Sequence, residues 1–140
     1  MSVWMKYENN PYGRKVGDCA VRAVSKAIGS DWGKAYAELA VMGFAMGDMP
    51  SSNSVIGAVL KQYGFRRESI PNSCPDCYTV AQFADDHPQG TFVVGTGSHL
   101  ICIDNGAIWD SWDSGMEVPV FYWEEDPDAN KEEEEKKDGV

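Results

Sequence analysis

A cysteine at position 19, a histidine at 99 and an aspartate at 110 are the residues of this chain that could together do nucleophilic chemistry. A thiol attacks only as a thiolate, so it needs a base, and the base needs an acceptor to orient it. Cys19 stands in Gly17-Asp18-Cys19-Ala20-Val21-Arg22-Ala23-Val24, where an apolar helix is expected to begin directly behind it. Ala20, Ala23, Val24, Ala27 and Ile28 recur at helical spacing, with Asp18 as the expected N-cap and Gly29 as the stop. The first turn of a helix carries partial positive charge, which favours a thiolate. The alternative is that Cys19 is one more small buried residue.

Of the two histidines, His87 precedes Pro88 in a helix-ending loop, a poor place for fixed geometry. His99 is flanked by Leu100, Ile101 and Ile103 on an expected strand, where a purely structural residue would be apolar. His99 is therefore the candidate base. Asp104-Asn105-Gly106 signals a hairpin. A two-residue Asn105-Gly106 loop pairs Asp104 with Ala107 and Ile103 with Ile108, so that Ile101 faces Asp110. His99 and Asp110 then share one face as diagonal neighbours, ~7–8 Å apart between Cα atoms. A three-residue loop would turn Asp110 to the other face. Asp113 is the alternate acid. Of Trp109 and Trp112, one is expected to pack the sheet and the other to rim a substrate cleft.

The elements that must position these groups are read from period and punctuation. Helices are expected at about 18–28, from a Ser30 cap through Phe44, from about Ser54 to Tyr63, and after a Thr79-x-x-Gln82 capping box. The second carries the stripe Trp32, Ala35, Tyr36, Leu39, Ala40, Gly43 and Phe44, and a flexible connection follows it. Short strands are expected at Val3–Tyr7 and Phe65–Glu68. Others are expected at Thr91–Thr96, Ser98–Ile103, Ala107–Asp110 and Val118–Trp123. Helices early and strands late make an α+β chain with the helices segregated from an antiparallel sheet.

The 140 residues fit one domain, expected over 1–123. The net charge is −10, but residues 124–140 hold nine acids and three lysines and carry most of it. That segment is expected to be a disordered acidic tail. Without a basic patch, nucleic acid is not an expected partner. No apolar run nears the ~20 residues of a membrane span, so a membrane is not expected either. Four cysteines without a signal segment point to reduced thiols in a cytoplasm. Cys102, between two isoleucines, is expected in the core. Arg22 should leave the apolar stripe and pair with a tail or loop carboxylate. Cys74-Pro75-Asp76-Cys77 can be weighed as half a zinc site or a redox dithiol, but a surface turn is expected. No metal and no cofactor are called for.

Asn10-Pro11, then Gly17-Asp18-Cys19-x-x-Arg22-Ala23, then His99, Asn105-Gly106 and Trp109-Asp110-Ser111-Trp112-Asp113-Ser114 resemble a known set of proteins. The order is similar to that of small papain-like cysteine peptidase-fold proteins of the kind found in bacteriophage genomes. The resemblance spans about residues 9–123. It implies N-terminal helices, with the nucleophile opening a core helix, packed on a small C-terminal antiparallel sheet. It further implies a Cys19-His99-Asp110 triad that hydrolyses a peptide, isopeptide or amide through a thioester, with a peptide or protein as substrate. Papain-like enzymes place an oxyanion glutamine shortly before the cysteine, and none stands there. Asn10 is the expected substitute and Asn9 the fallback, the other reading of Asn10-Pro11 being a turn. Loss of one oxyanion donor costs ~10²–10³ in rate. The competing reading is an idle papain-like fold that binds a host protein. A cell-wall amidase suits this acidic chain poorly.

Overall fold

The computed structural model describes residues 3–72, 74 and 76–126. Four helices and six strands follow one another as β1 (Val3–Lys6), α1 (Cys19–Ile28), α2 (Trp32–Met46), α3 (Asn53–Gln62), β2 (Phe65–Ser69), α4 (Val80–Asp86), β3 (Thr91–Gly95), β4 (Leu100–Asp104), β5 (Ala107–Asp110) and β6 (Phe121–Glu125). The strands form one sheet in the order β1-β5-β4-β3-β6-β2. The fold is α+β, but its sheet is mixed and not confined to the C-terminal half. β1 pairs in parallel with β5, and β2 extends the other edge beside β6. Both edge strands come from before α4, so a sheet built only of late antiparallel hairpins is corrected.

Alternation along the central strands fills both faces of the sheet. Val93, Cys102 and Trp123 face a cluster built with Val24, Leu39, Val55 and Leu60 of α1, α2 and α3. Phe92, Val94, Ile101, Ile103 and Ile108 face the opposite cluster, closed by Val80, Phe83 and Ala84 of α4. The period-2 pattern thus feeds two cores. Both halves of the Thr79–Gln82 capping box are formed at the start of α4.

The helix starts depart from the sequence in instructive ways. Asp31, not Ser30, caps α2, its carboxylate accepting from the Lys34 N–H at 2.7 Å. The expected stripe of α2 is only partly buried: Ala35, Leu39 and Gly43 turn inward, while Tyr36 and Phe44 are exposed at 54% and 90%. The helix is apolar nearly all round, so period alone does not choose its inner face. The stretch expected as a connection after Gly43 is helical through Met46.

Four lines of expectation meet the chain ends and the cysteines. β6 runs to Glu125, two residues beyond the expected domain boundary, and Asp126 still donates its N–H to the Gly64 carbonyl at 2.8 Å. The rest of the expected acidic tail, residues 127–140, lies outside the described residues. Cys74 and Cys77 are joined as a disulfide with Cα atoms 4.4 Å apart, so the expectation of four reduced thiols is corrected. Three residues of separation bring the two thiols within the span a disulfide bridges. Among the described residues no helix is long and apolar enough to cross a membrane.

Candidate active site

The candidate residues come together where several elements end on one side of the sheet. Asp110 is the last residue of β5, His99 immediately precedes β4, and Cys19 is the first residue of α1. The hairpin that fixes their register is the two-residue one: Cys102 pairs with Trp109, Ile103 with Ile108 and Asp104 with Ala107. Asn105 and Gly106 both take positive φ, 49° and 79°, as the type I′ turn requires. In this register His99 Nε2 meets Asp110 Oδ2 at 2.6 Å. Thr96 holds the other end of His99: its hydroxyl accepts the His99 N–H at 3.1 Å, and its own N–H donates to the His99 carbonyl at 2.9 Å.

Asp110 is wholly buried and its four acceptor positions are filled. Oδ1 accepts from Arg22 Nη2 at 3.0 Å and from the Ser111 N–H at 2.8 Å. Oδ2 accepts from His99 and from the Ser114 hydroxyl, the latter at 2.7 Å. Burial alone would raise this carboxyl, but the bonds from His99 and Ser114 outweigh it and hold Asp110 below its ordinary value. Its backbone is braced as well, because the carbonyl accepts from the Tyr7 N–H at 2.8 Å and from Trp4 Nε1 at 3.2 Å.

With Nε2 on Asp110, the other ring nitrogen of His99 is the one left for Cys19. The hydrogen bond to His99 is the largest influence on Cys19 and lowers its thiol against the opposing effect of burial, with the Leu100 backbone adding in the same direction. His99 moves the other way, raised to about 9, first by its bond to Asp110 and then by that to Cys19. A lowered thiol beside a raised imidazole favours proton transfer from sulfur to the ring. Cys102, by contrast, is pushed up by complete burial.

Asp18 does something other than cap α1. Its side chain makes no capping bond. Oδ1 instead accepts from Arg22 Nη1 and Oδ2 from Trp32 Nε1, both at 2.9 Å. A guanidinium is the stronger donor, so the carboxylate turns to it and leaves the helix N-terminus without a side-chain cap. Arg22 therefore bridges Asp18 and Asp110, and of the expected tail or loop carboxylate it is a loop one, Asp18, that it meets. Trp32, Asp18, Arg22, Asp110, His99 and Cys19 form one continuous chain of polar contacts.

Matching this chain against known proteins finds no family model, no curated protein and no solved structure. Its chemistry is read from its own geometry.

The remaining candidates divide cleanly. Asp113, exposed, accepts from the Gly115 N–H at 3.1 Å, and it is Asp110 that holds His99. Trp109 packs the sheet under Lys26, whose ammonium lies 3.8 Å from its ring centre. Trp112 is the tryptophan at the site, its ring centre 5.4 Å from that of His99. Asn10 is not placed as an oxyanion donor. Its amide donates to the Arg14 carbonyl at 3.1 Å and its oxygen accepts the Tyr12 N–H at 3.0 Å, the turn reading of Asn10-Pro11. Asn9 is equally committed, to Tyr7 Oη and Ser25 Oγ. His87 stacks on Phe83 at 3.9 Å, part of the α4-side core.

A cleft of about 210 Å³ opens over Cys19 and His99. Its walls include Gly17, Ser51, Asn53, Thr96 and Ser98. Ser51 comes from the turn between α2 and α3 and Asn53 is the first residue of α3, a segment that sequence spacing gives no reason to bring to Cys19. Arg22 and Ser114 had a weak signal at most: a charged residue on a core helix, and a serine four positions after a candidate acid.

Proposed function

We propose that the protein is a cysteine-dependent acyl hydrolase acting on peptide, isopeptide or other amide bonds, with a papain-like arrangement of helix and sheet. The observation that carries this reading is the Cys19–His99–Asp110 contact chain, with the thiol lowered and the imidazole raised. The Cys19 thiolate attacks the acyl carbon, an S–C bond forms, and the carbonyl π pair moves onto oxygen. On collapse of that intermediate the C–N bond breaks, and the leaving amine takes the proton held by His99. His99, now neutral, takes a proton from water as its oxygen attacks the thioester. The carboxylic acid leaves, and thiolate and imidazolium are restored. Asp110 keeps the ring oriented and stabilises its positive form throughout.

The oxyanion would be held by the backbone N–H groups at the uncapped start of α1, beginning with that of Cys19. Ser51 of the α2–α3 turn and Asn53 at the start of α3 add polar side chains to the cleft wall. The commitment of both Asn9 and Asn10 to loop contacts favours a second reading, an idle fold that binds a host protein.

Reaction with p-nitrophenyl acetate separates the two. The hydrolase reading expects a burst of p-nitrophenol and an acetyl group on Cys19, found by peptide mass and lost in Cys19→Ala. No acetyl on Cys19, or an equal burst from Cys19→Ala, would leave the idle fold.

A further inference from the structure

Beside the catalytic cleft lies a second and larger cavity, of about 460 Å³. Its lining is drawn entirely from residues 10–51, with nothing from the central strands. Trp32 and Tyr36 form one wall as a stacked pair, ring centres 5.2 Å apart and planes 25° from parallel. Leu39 lies in the lining and is buried, while Val16 and Tyr12 are exposed at 45% and 79%. The loop that carries Tyr12 and Arg14 is held in shape by both ends of the Asn10 amide. Asp18, the acid in the lining, has both oxygens occupied by Arg22 and Trp32. The cavity is of the size and apolar make-up of a small-molecule or side-chain site.

Its position relates it to the nucleophile. Gly17, Ala20 and Ser51 line both this cavity and the cleft over Cys19. Gly17 lies on their shared border, and a Cβ built there meets nothing within 4 Å. There is open space for a side chain at this border, and a branched one would project into it. Of the cleft's remaining lining, Thr96, Gly97 and Ser98 are small, and Leu100 and Phe121 are apolar and buried. The cavity thus adds the stacked rings of Trp32 and Tyr36 to a cleft whose own aromatic residue, Phe121, is buried.

We infer that this cavity is a specificity pocket for a bulky apolar, preferentially aromatic, side chain of the substrate bound at Cys19. The inference rests on the reading of Cys19 as a reactive nucleophile and adds what that nucleophile selects. Burying one ring supplies roughly tenfold or more in selectivity.

The test compares alkylation of Cys19 by N-phenethyl iodoacetamide with alkylation by iodoacetamide, each normalised to its rate with glutathione. The full chain is expected to prefer the aromatic reagent by roughly tenfold or more. That ratio should fall toward one in Tyr36→Ala, which removes a wall, and in Gly17→Val, which puts a branched side chain on the shared border. Phe44→Ala, exposed elsewhere on α2, should keep it. Fast reaction with iodoacetamide but no aromatic preference would overturn the pocket and leave the nucleophile standing. Slow reaction with both reagents would overturn the nucleophile, and the pocket's role with it.

Discussion

Cys19 and Cys102 touch the same apolar cluster between the helices and the sheet, yet their thiols are driven in opposite directions. Cys102 lies mid-strand with no exposure, and burial raises it. Cys19 is also packed against the cluster, but it opens a helix whose N-cap carboxylate is turned away, and it touches His99. Burial makes a thiol inert. A charged partner held in place by its own buried acceptor reverses that, and the difference between the two cysteines lies in the contacts that end at Asp110.

The largest test of that contrast is deletion of each thiol in turn. Cys19→Ala should cost ~10³-fold or more in acyl-transfer rate. Cys102→Ala should leave that rate within about twofold, a difference read directly in steady-state kinetics. Next comes Asp110→Asn, which should cost ~10²–10⁴ in kcat. It should also let the His99 value fall and the Cys19 value rise toward ordinary ones, making Cys19 behave more like Cys102. Asp113→Asn should change neither, because its side chain serves only a local turn. Equal losses from the two aspartates would assign the orienting role wrongly.

Arg22→Met tests how the buried acid is maintained. It withdraws the cation from two carboxylates at once, Asp18 and Asp110. Stranding a buried charge costs about 3 kcal/mol or more, so thermal melting should shift by several degrees. An unchanged melting temperature would mean the bridge is not needed to keep Asp110 charged. The smallest expected effect is the stability cost of Cys102→Ala, about 1 kcal/mol for one missing core atom, measurable by urea titration.

Much of this site was readable where one local rule decided the outcome. The Asn105-Gly106 turn fixed the register, and the register put His99 and Asp110 on one face. Cys19 and Gly29 bounded α1 as the helical period requires. What sequence did not yield depended on competition between partners. Asp18 is a good N-cap by type, but a guanidinium four residues on is a better partner than an amide, and local spacing does not rank the two. Asn10 fails as an oxyanion donor because its own loop consumes both ends of its amide. The parallel pairing of β1 with β5 joins segments a hundred residues apart, beyond any local pattern. Which face of α2 turns inward was equally hidden, since Ala37, Val41, Met42 and Ala45 make the helix apolar off the expected stripe as well.

The central claim is that His99, oriented by Asp110, holds Cys19 as a thiolate, and the pH dependence of Cys19 alkylation by iodoacetamide tests it most directly. Cys19 is lowered in the folded protein, so the midpoint of the rate's rise with pH should lie below the ordinary ~8.5, the rate declining as acid protonates the thiolate. Hydrolysis should share that acid limb and also decline above about 9, where His99 loses the proton the leaving group needs. In His99→Ala the alkylation profile should move up toward the ordinary thiol value. A wild-type profile already at that value, unmoved by His99→Ala, would contradict the account.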